Sequence, residues 1–139
     1  MASNTSGNNH HREHARHNKK VYDHLRDELE YIDWIITTAF YTTLHFVEYK
    51  IYPFTIKIGS QKHKFESTSE YKPYSGKRSK HGAKIKAVKN NLSSCKVAYK
   101  ELFDLSMTAR YHQYQFENPE RVDKMVNKWL SHIIKECNS

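Results

Sequence analysis

Hydrophobic positions recur along most of this chain at intervals of three and four, the spacing that puts side chains on one face of a helix. Ala15, Asn18, Val21, Tyr22, Leu25 and Leu29 form a first stripe that begins near His10. A broader one follows over residues 31–51, through Ile32, Ile35, Ile36, Ala39, Phe40, Thr43, Val47 and Ile51. It predicts a central helix with Trp34 and Phe40 turned away from water. Pro53 ends it, because proline cannot continue the hydrogen-bond ladder. Ile85, Val88, Leu92, Cys95, Tyr99, Leu102 and Ala109 mark a third stripe. Asn90, Asn91, Ser93 and Ser94 interrupt it with residues better suited to turns and caps, which predicts a break. The last helix has the clearest start: Asn118 as N-cap, Pro119 at the first helical position, Glu120 at the positive end of the dipole. Val122, Met125, Val126, Trp129, Leu130, Ile133 and Ile134 then give an unbroken apolar face.

Residues 53–80 follow another pattern. Phe54, Ile56 and Ile58 alternate with Thr55 and Lys57, Gly59 and Ser60 follow, and a short run leads to Phe65, which predicts a small hairpin. Residues 67–80 are rich in Ser, Lys, Tyr and Gly and contain Pro73, as in a long basic loop. The Ser/Asn-rich residues 1–9 are expected to be a disordered tail, leaving one helical domain over residues 10–137. The expected architecture is all-α: an antiparallel four-helix up-down bundle, five-helix if the third stripe breaks, with the basic loop between its second and third helices.

Composition narrows the picture. A chain of 139 residues has the size of one domain. Its most apolar stretch, residues 34–47, contains four threonines and His45 and falls short of the ~20 apolar residues a spanning helix needs, so no membrane partner is expected. No hydrophobic leader is visible, and Cys95 and Cys137 have no paired spacing. Together these suggest reduced thiols in the cytoplasm. The net charge of +8 is uneven: residues 50–100 hold thirteen Lys or Arg against Glu66 and Glu70, a local +11. Such a field attracts polyanions, because each neutralised phosphate releases counterions. A merely solubilising face is the alternative.

Three segments, in order, carry a resemblance: His14-Ala15-Arg16-His17-Asn18; Asp33-Trp34 leading into Ala39-Phe40-Tyr41-Thr42-Thr43-Leu44-His45-Phe46-Val47-Glu48; and Leu102-Phe103-Asp104-Leu105-Ser106-Met107-Thr108-Ala109-Arg110-Tyr111. Together they resemble small prokaryotic HEPN-domain proteins, and Arg78-Ser79-Lys80-His81 is similar to the entry to the corresponding third helix. The resemblance spans residues 14–130. It implies an antiparallel four-helix bundle, a homodimer, and metal-independent RNase activity of the kind found in toxin–antitoxin and phage-defence systems. The chain departs from the family at the arginine–spacer–histidine motif: His112 follows Arg110 too closely, and only Arg12 and His17 match the spacing.

Such an RNase needs a base for the ribose 2′-hydroxyl, an acid for the leaving oxygen and a cation for the phosphorane. Histidine and arginine suit these tasks. Tyr41, His45 and Glu48 fall at i, i+4 and i+7 on one helix face, where Glu48 could orient His45 or raise its pKa. A satisfied polar cluster at a helix contact is the competing reading. His81 and Arg110 complete the catalytic candidates. Lys72, Lys77, Arg78, Lys80, Lys84 and Tyr111 are the candidates for RNA contact, with Tyr71, Tyr74 and Tyr114 as further aromatics. His10, His11, His14 and His17 could take up a transition metal adventitiously, but neither a physiological metal nor a cofactor is expected. The first functional expectation is an RNA-binding, HEPN-like protein acting as a ribonuclease in defence or stress response. The second is a non-catalytic module that docks a partner protein, such as an antitoxin or nuclease subunit.

Overall fold

A computed structural model describes residues 2–139, with side chains from residue 9 onward. The expected disordered tail at residues 1–9 falls almost entirely outside the side chains described. Six helices and one small sheet follow in order: α1 (Ala2–Leu25), α2 (Ile32–Ile51), β1 (Phe54–Ile58), β2 (Gln61–Phe65), α3 (Thr68–Ser75), α4 (Lys80–Asn91), α5 (Lys96–Tyr111) and α6 (Pro119–Cys137). The chain is therefore predominantly helical, as the periodicity predicts. Short 3-10 turns at Leu29–Tyr31 and Ser93–Cys95 lead into α2 and α5.

The most apolar helix, α2, is central: α1, α5 and α6 all pack against it. Ile35, Ile36, Ala39, Phe40 and Val47 are fully buried, and meet Tyr22, Leu102, Leu130 and Ile133 in one core. Each large apolar side chain so buried contributes about 1.5–3 kcal/mol. A polar lock joins α1 to α6. Arg26 donates from Nε and Nη2 to the two Asp123 carboxylate oxygens, both at 2.8 Å, and from Nη1 to Asn127 at 3.0 Å. The Tyr22 hydroxyl donates to the same Asn127 oxygen at 3.1 Å.

The interrupted third stripe divides where Asn and Ser weaken it. α4 stops at Asn91, whose side chain donates back to the Ala87 carbonyl, and α5 restarts after Cys95. The start of α6 is as expected, with the Asn118 side chain accepting from the Arg121 amide at 3.2 Å.

Four expectations need correction. Trp34 is 57% exposed, because it lies on the face of α2 opposite Ile32, Ile35, Ile36 and Ala39. Val21 likewise faces outward, so the α1 stripe is narrower than its apolar residues suggest. The stretch after the hairpin is no plain loop: residues 68–75 form α3. The Ser67 hydroxyl accepts from the Glu70 amide, the Glu70 carboxylate accepts from the Glu66 amide, and Gly76 at φ 77° closes the helix in the left-handed region. Tyr71, expected at a basic surface, is buried against Phe54 and Phe65. The hairpin itself forms as the alternation predicts, Phe54 opposite Phe65 and Ile58 opposite Gln61.

Among the described residues, no helix is long and apolar enough to cross a membrane. Cys95 and Cys137 are both buried and free, and burial pushes the Cys137 thiol up to about 12.

Candidate functional site

A cleft of about 310 Å³ opens between α1, α2 and α4, lined by His11, Tyr41, Leu44, His45, Glu48, Lys80, His81 and Lys84. Helical spacing explains much of it. Tyr41, His45 and Glu48 share one face of α2, and Lys80, His81 and Lys84 share one face of α4. The Ser79 hydroxyl caps α4 by accepting from the Gly82 amide at 2.9 Å, which sets Lys80 and His81 in the first turn at the cleft wall.

Three histidines meet on the α1 side. His11 Nδ1 lies 3.0 Å from His45 Nδ1, so one of these nitrogens carries the hydrogen and the other accepts it. The His14 ring stacks on His45 with centroids 3.8 Å apart. Burial, followed by the charges of His14, His11 and Lys84, holds His45 down at about 4. Burial also lowers His11, against the pull of Glu48. On the α4 side, His81 packs against Phe103 and Phe40 at 5.0 and 6.2 Å. Burial lowers it, with further contributions from Arg110, Lys84 and Lys80. At neutral pH the cleft thus holds neutral imidazoles among fixed cations.

Arg110, in the last turn of α5, reaches the rim of this cleft. Its Nη1 donates to the Tyr41 hydroxyl at 2.7 Å, its Nε to the Ser106 carbonyl at 3.3 Å, and its guanidinium lies 5.8 Å from the Phe40 ring centre. Phe40 is thus the shared floor beneath His81 and Arg110. The four catalytic candidates His45, Glu48, His81 and Arg110, drawn from three helices, come together in one place.

Their roles are not all as expected. Glu48 is buried and accepts from Lys84 Nζ and, at 2.8 Å, from the Thr68 hydroxyl, which is itself 2.8 Å from the Tyr52 hydroxyl. Its pull on His45 is the smallest of the influences there, and the net shift of His45 is downward, not upward. Glu48 belongs to a satisfied polar cluster, the competing reading of the same spacing. Lys84, expected to meet phosphate, is 4% exposed and engaged by Glu48. Of the remaining RNA candidates, Lys80 lines the cleft. Arg78 and Tyr111 are exposed, Lys72 is half-buried, and Lys77 lines a separate hollow with Lys86 and Lys89.

His11 was missed as a site residue, although its signal was present: it lies one turn before Ala15 and continues the inward stripe of α1. Among the described residues no three His, Cys, Asp or Glu side chains are arranged to hold a metal ion. Comparison of the chain with known protein families, curated proteins and solved structures finds no match.

Proposed function

We propose that this protein binds RNA and cleaves it without a metal ion, as a HEPN-like ribonuclease. The observation that supports this most is the convergence of His11, His45 and His81 in one cleft with Arg110 at its rim, bonded to Tyr41, where burial keeps the imidazoles neutral. In this reading neutral His45, its tautomer set by His11, takes the proton of a ribose 2′-hydroxyl. The oxygen then bonds to phosphorus and the 5′-oxygen leaves. A phosphate seated beside His81 and Arg110 brings negative charge that raises the pKa of His81, letting it protonate the leaving oxygen. Arg110 faces the charge that develops on the phosphorane. Lys80, Arg78, Lys77 and Lys72 supply the approach field, and Tyr111 is a stacking surface. The same reading makes the helices an antiparallel four-helix unit that forms a cytoplasmic homodimer, its two Arg110 ends in a shared cleft; light scattering after gel filtration tests the dimer.

The test is cleavage of a mixed RNA in EDTA, with a DNA of the same sequence as control. RNA should be cut and DNA spared, since only RNA offers the 2′-hydroxyl. Loss of cutting in His45→Ala, His81→Ala and Arg110→Ala supports the roles assigned. Absence of cutting by the wild type ends the nuclease reading.

The second reading, a non-catalytic module docking a partner protein in a toxin–antitoxin or nuclease complex, is favoured by two observations. Trp34 and Tyr31 are exposed together at the start of α2, and Arg110 is already engaged by Tyr41. An inert wild type that co-purifies with a defined partner through Trp34 would replace the first reading with this one.

A further inference from the structure

The β1–β2 hairpin projects a face that its own fold does not need. Alternation along the strands turns Thr55, Lys57, Lys62 and Lys64 outward, all exposed, and Phe54, Ile56, His63 and Phe65 inward. In the register of the pair, Lys57 stands directly opposite Lys62. Like charges in that position repel, with side chains leaving the backbone about 5 Å apart. No ion pair forms at either lysine among the described residues, and Lys64 has only a long contact of 3.5 Å with exposed Glu66.

A two-stranded ribbon alone is marginal in water. This one is held from beneath: Phe54 packs on Tyr71 at 5.1 Å, Phe65 on Tyr74 at 5.1 Å and His63 on Tyr74 at 5.4 Å. Below them Tyr52, Thr68 and Glu48 tie the start of α3 to α2 and to Lys84 of α4. The repelling lysines are therefore presented on a fixed mount, one that also holds a wall of the histidine cleft. Along β2, Lys62 and Lys64 are two residues apart, about 6.7 Å, a repeat suited to successive phosphates of an extended strand. The cleft itself, about 310 Å³, takes only a small part of a polynucleotide.

We propose that the hairpin is a second binding surface, an arm on which Lys57, Lys62 and Lys64 hold the phosphodiester backbone of single-stranded RNA beyond the segment in the cleft. The proposal rests on the RNA reading above and adds where a long chain is held. An anionic membrane is the less suited occupant, because the turn at Gly59 and Ser60 carries no aromatic wedge and only Ile58 beside it is exposed and apolar.

The test compares wild type with the triple variant Lys57→Gln, Lys62→Gln, Lys64→Gln. Binding of a long single-stranded RNA and of a short oligonucleotide is measured across a salt series. The arm predicts that the variant loses about tenfold in affinity for the long RNA and that its salt dependence becomes shallower by about 2, three contacts at about 0.7 each. Short-oligonucleotide binding should not change. The variant should melt no lower than wild type, since a repelling pair has been removed. Equal long-RNA binding by both proteins overturns the arm while leaving the cleft reading intact. So does lysine-dependent binding to phosphatidylserine vesicles tighter than to RNA. A wild type that binds no RNA removes both.

Discussion

Two polar regions lie one helical turn apart on α2 and behave oppositely. Around Glu48, every charge has a buried partner: Lys84 donates to it, Thr68 donates to it, and Tyr52 meets Thr68. Around His45, rings touch rings, cations stand nearby, and burial lowers His45 and His11 without an ion pair to a carboxylate. The first arrangement ties α2, α3 and α4 together through the Glu48 carboxylate, whose Oε1 accepts from both Lys84 and Thr68. The second keeps lone pairs available in a cleft. Residues of similar chemistry, spaced for the same helix face, are divided between a closed ion-pair cluster and an open cleft by what packs over them.

The sharpest way to break this comparison is to remove Glu48. Glu48→Ala strands the Lys84 ammonium in a buried site and should cost about 3–5 kcal/mol in chemical denaturation. Replacing both Glu48 and Lys84 by Met should restore most of that, since a well-packed apolar pair of similar volume is close to neutral. A small loss in the single variant would show that the Glu48 pair does not hold these helices together. Next in size, His45→Ala and His81→Ala should lower the rate of RNA cleavage by about 10²–10⁴-fold while the denaturation midpoint stays near that of wild type. A midpoint that fell as far as for Glu48→Ala would make those histidines structural.

A pH series sharpens the contrast further. His45 titrates near 4 in the fold, and His11 and His81 are also lowered. An unfolded chain, with histidines near 6.5, therefore binds protons before the folded one as pH falls. The stability that neutral histidines contribute is complete above about pH 6.5 and is lost as pH drops toward about 4. Melting temperatures should decline over that window in wild type and decline less in His45→Gln; equal slopes would show that His45 is not depressed. The smallest effect is expected at the far end of the same helix. Trp34→Ala should change stability by no more than about 0.5 kcal/mol, because its ring is mostly in water.

Much of this architecture was legible in the amino acids. The stripe Ile32, Ile35, Ile36, Ala39, Phe40 marks a helix buried on one side, because apolar side chains repeated near 3.6 residues have nowhere else to go. Asn118-Pro119-Glu120 marks a helix start, since each satisfies a need of the first turn. The alternation from Phe54 to Ile58 marks a strand. Trp34 misled, because a large ring beside an apolar run suggests burial, whereas its phase on the helix points outward. Residues 68–75 misled because Ser67, Glu70 and Gly76 form a capped turn inside a segment whose lysines and Pro73 suggest a loop. The site was half legible: spacing placed His45 with Tyr41 and Glu48, but nothing local linked His81 or Arg110 to them.

By itself, then, the sequence determined which segments other than α3 are helical, where the hairpin turns and where positive charge accumulates, because those properties depend on neighbours a few positions away. Only the tertiary structure decided which charged groups become buried pairs and which stay open to a ligand. His11 met His45 across 34 positions and Lys84 met Glu48 across 36. Such partnerships arise from helix packing, and packing controls the desolvation that separates a carboxylate held in an ion pair from an imidazole kept neutral in a cleft.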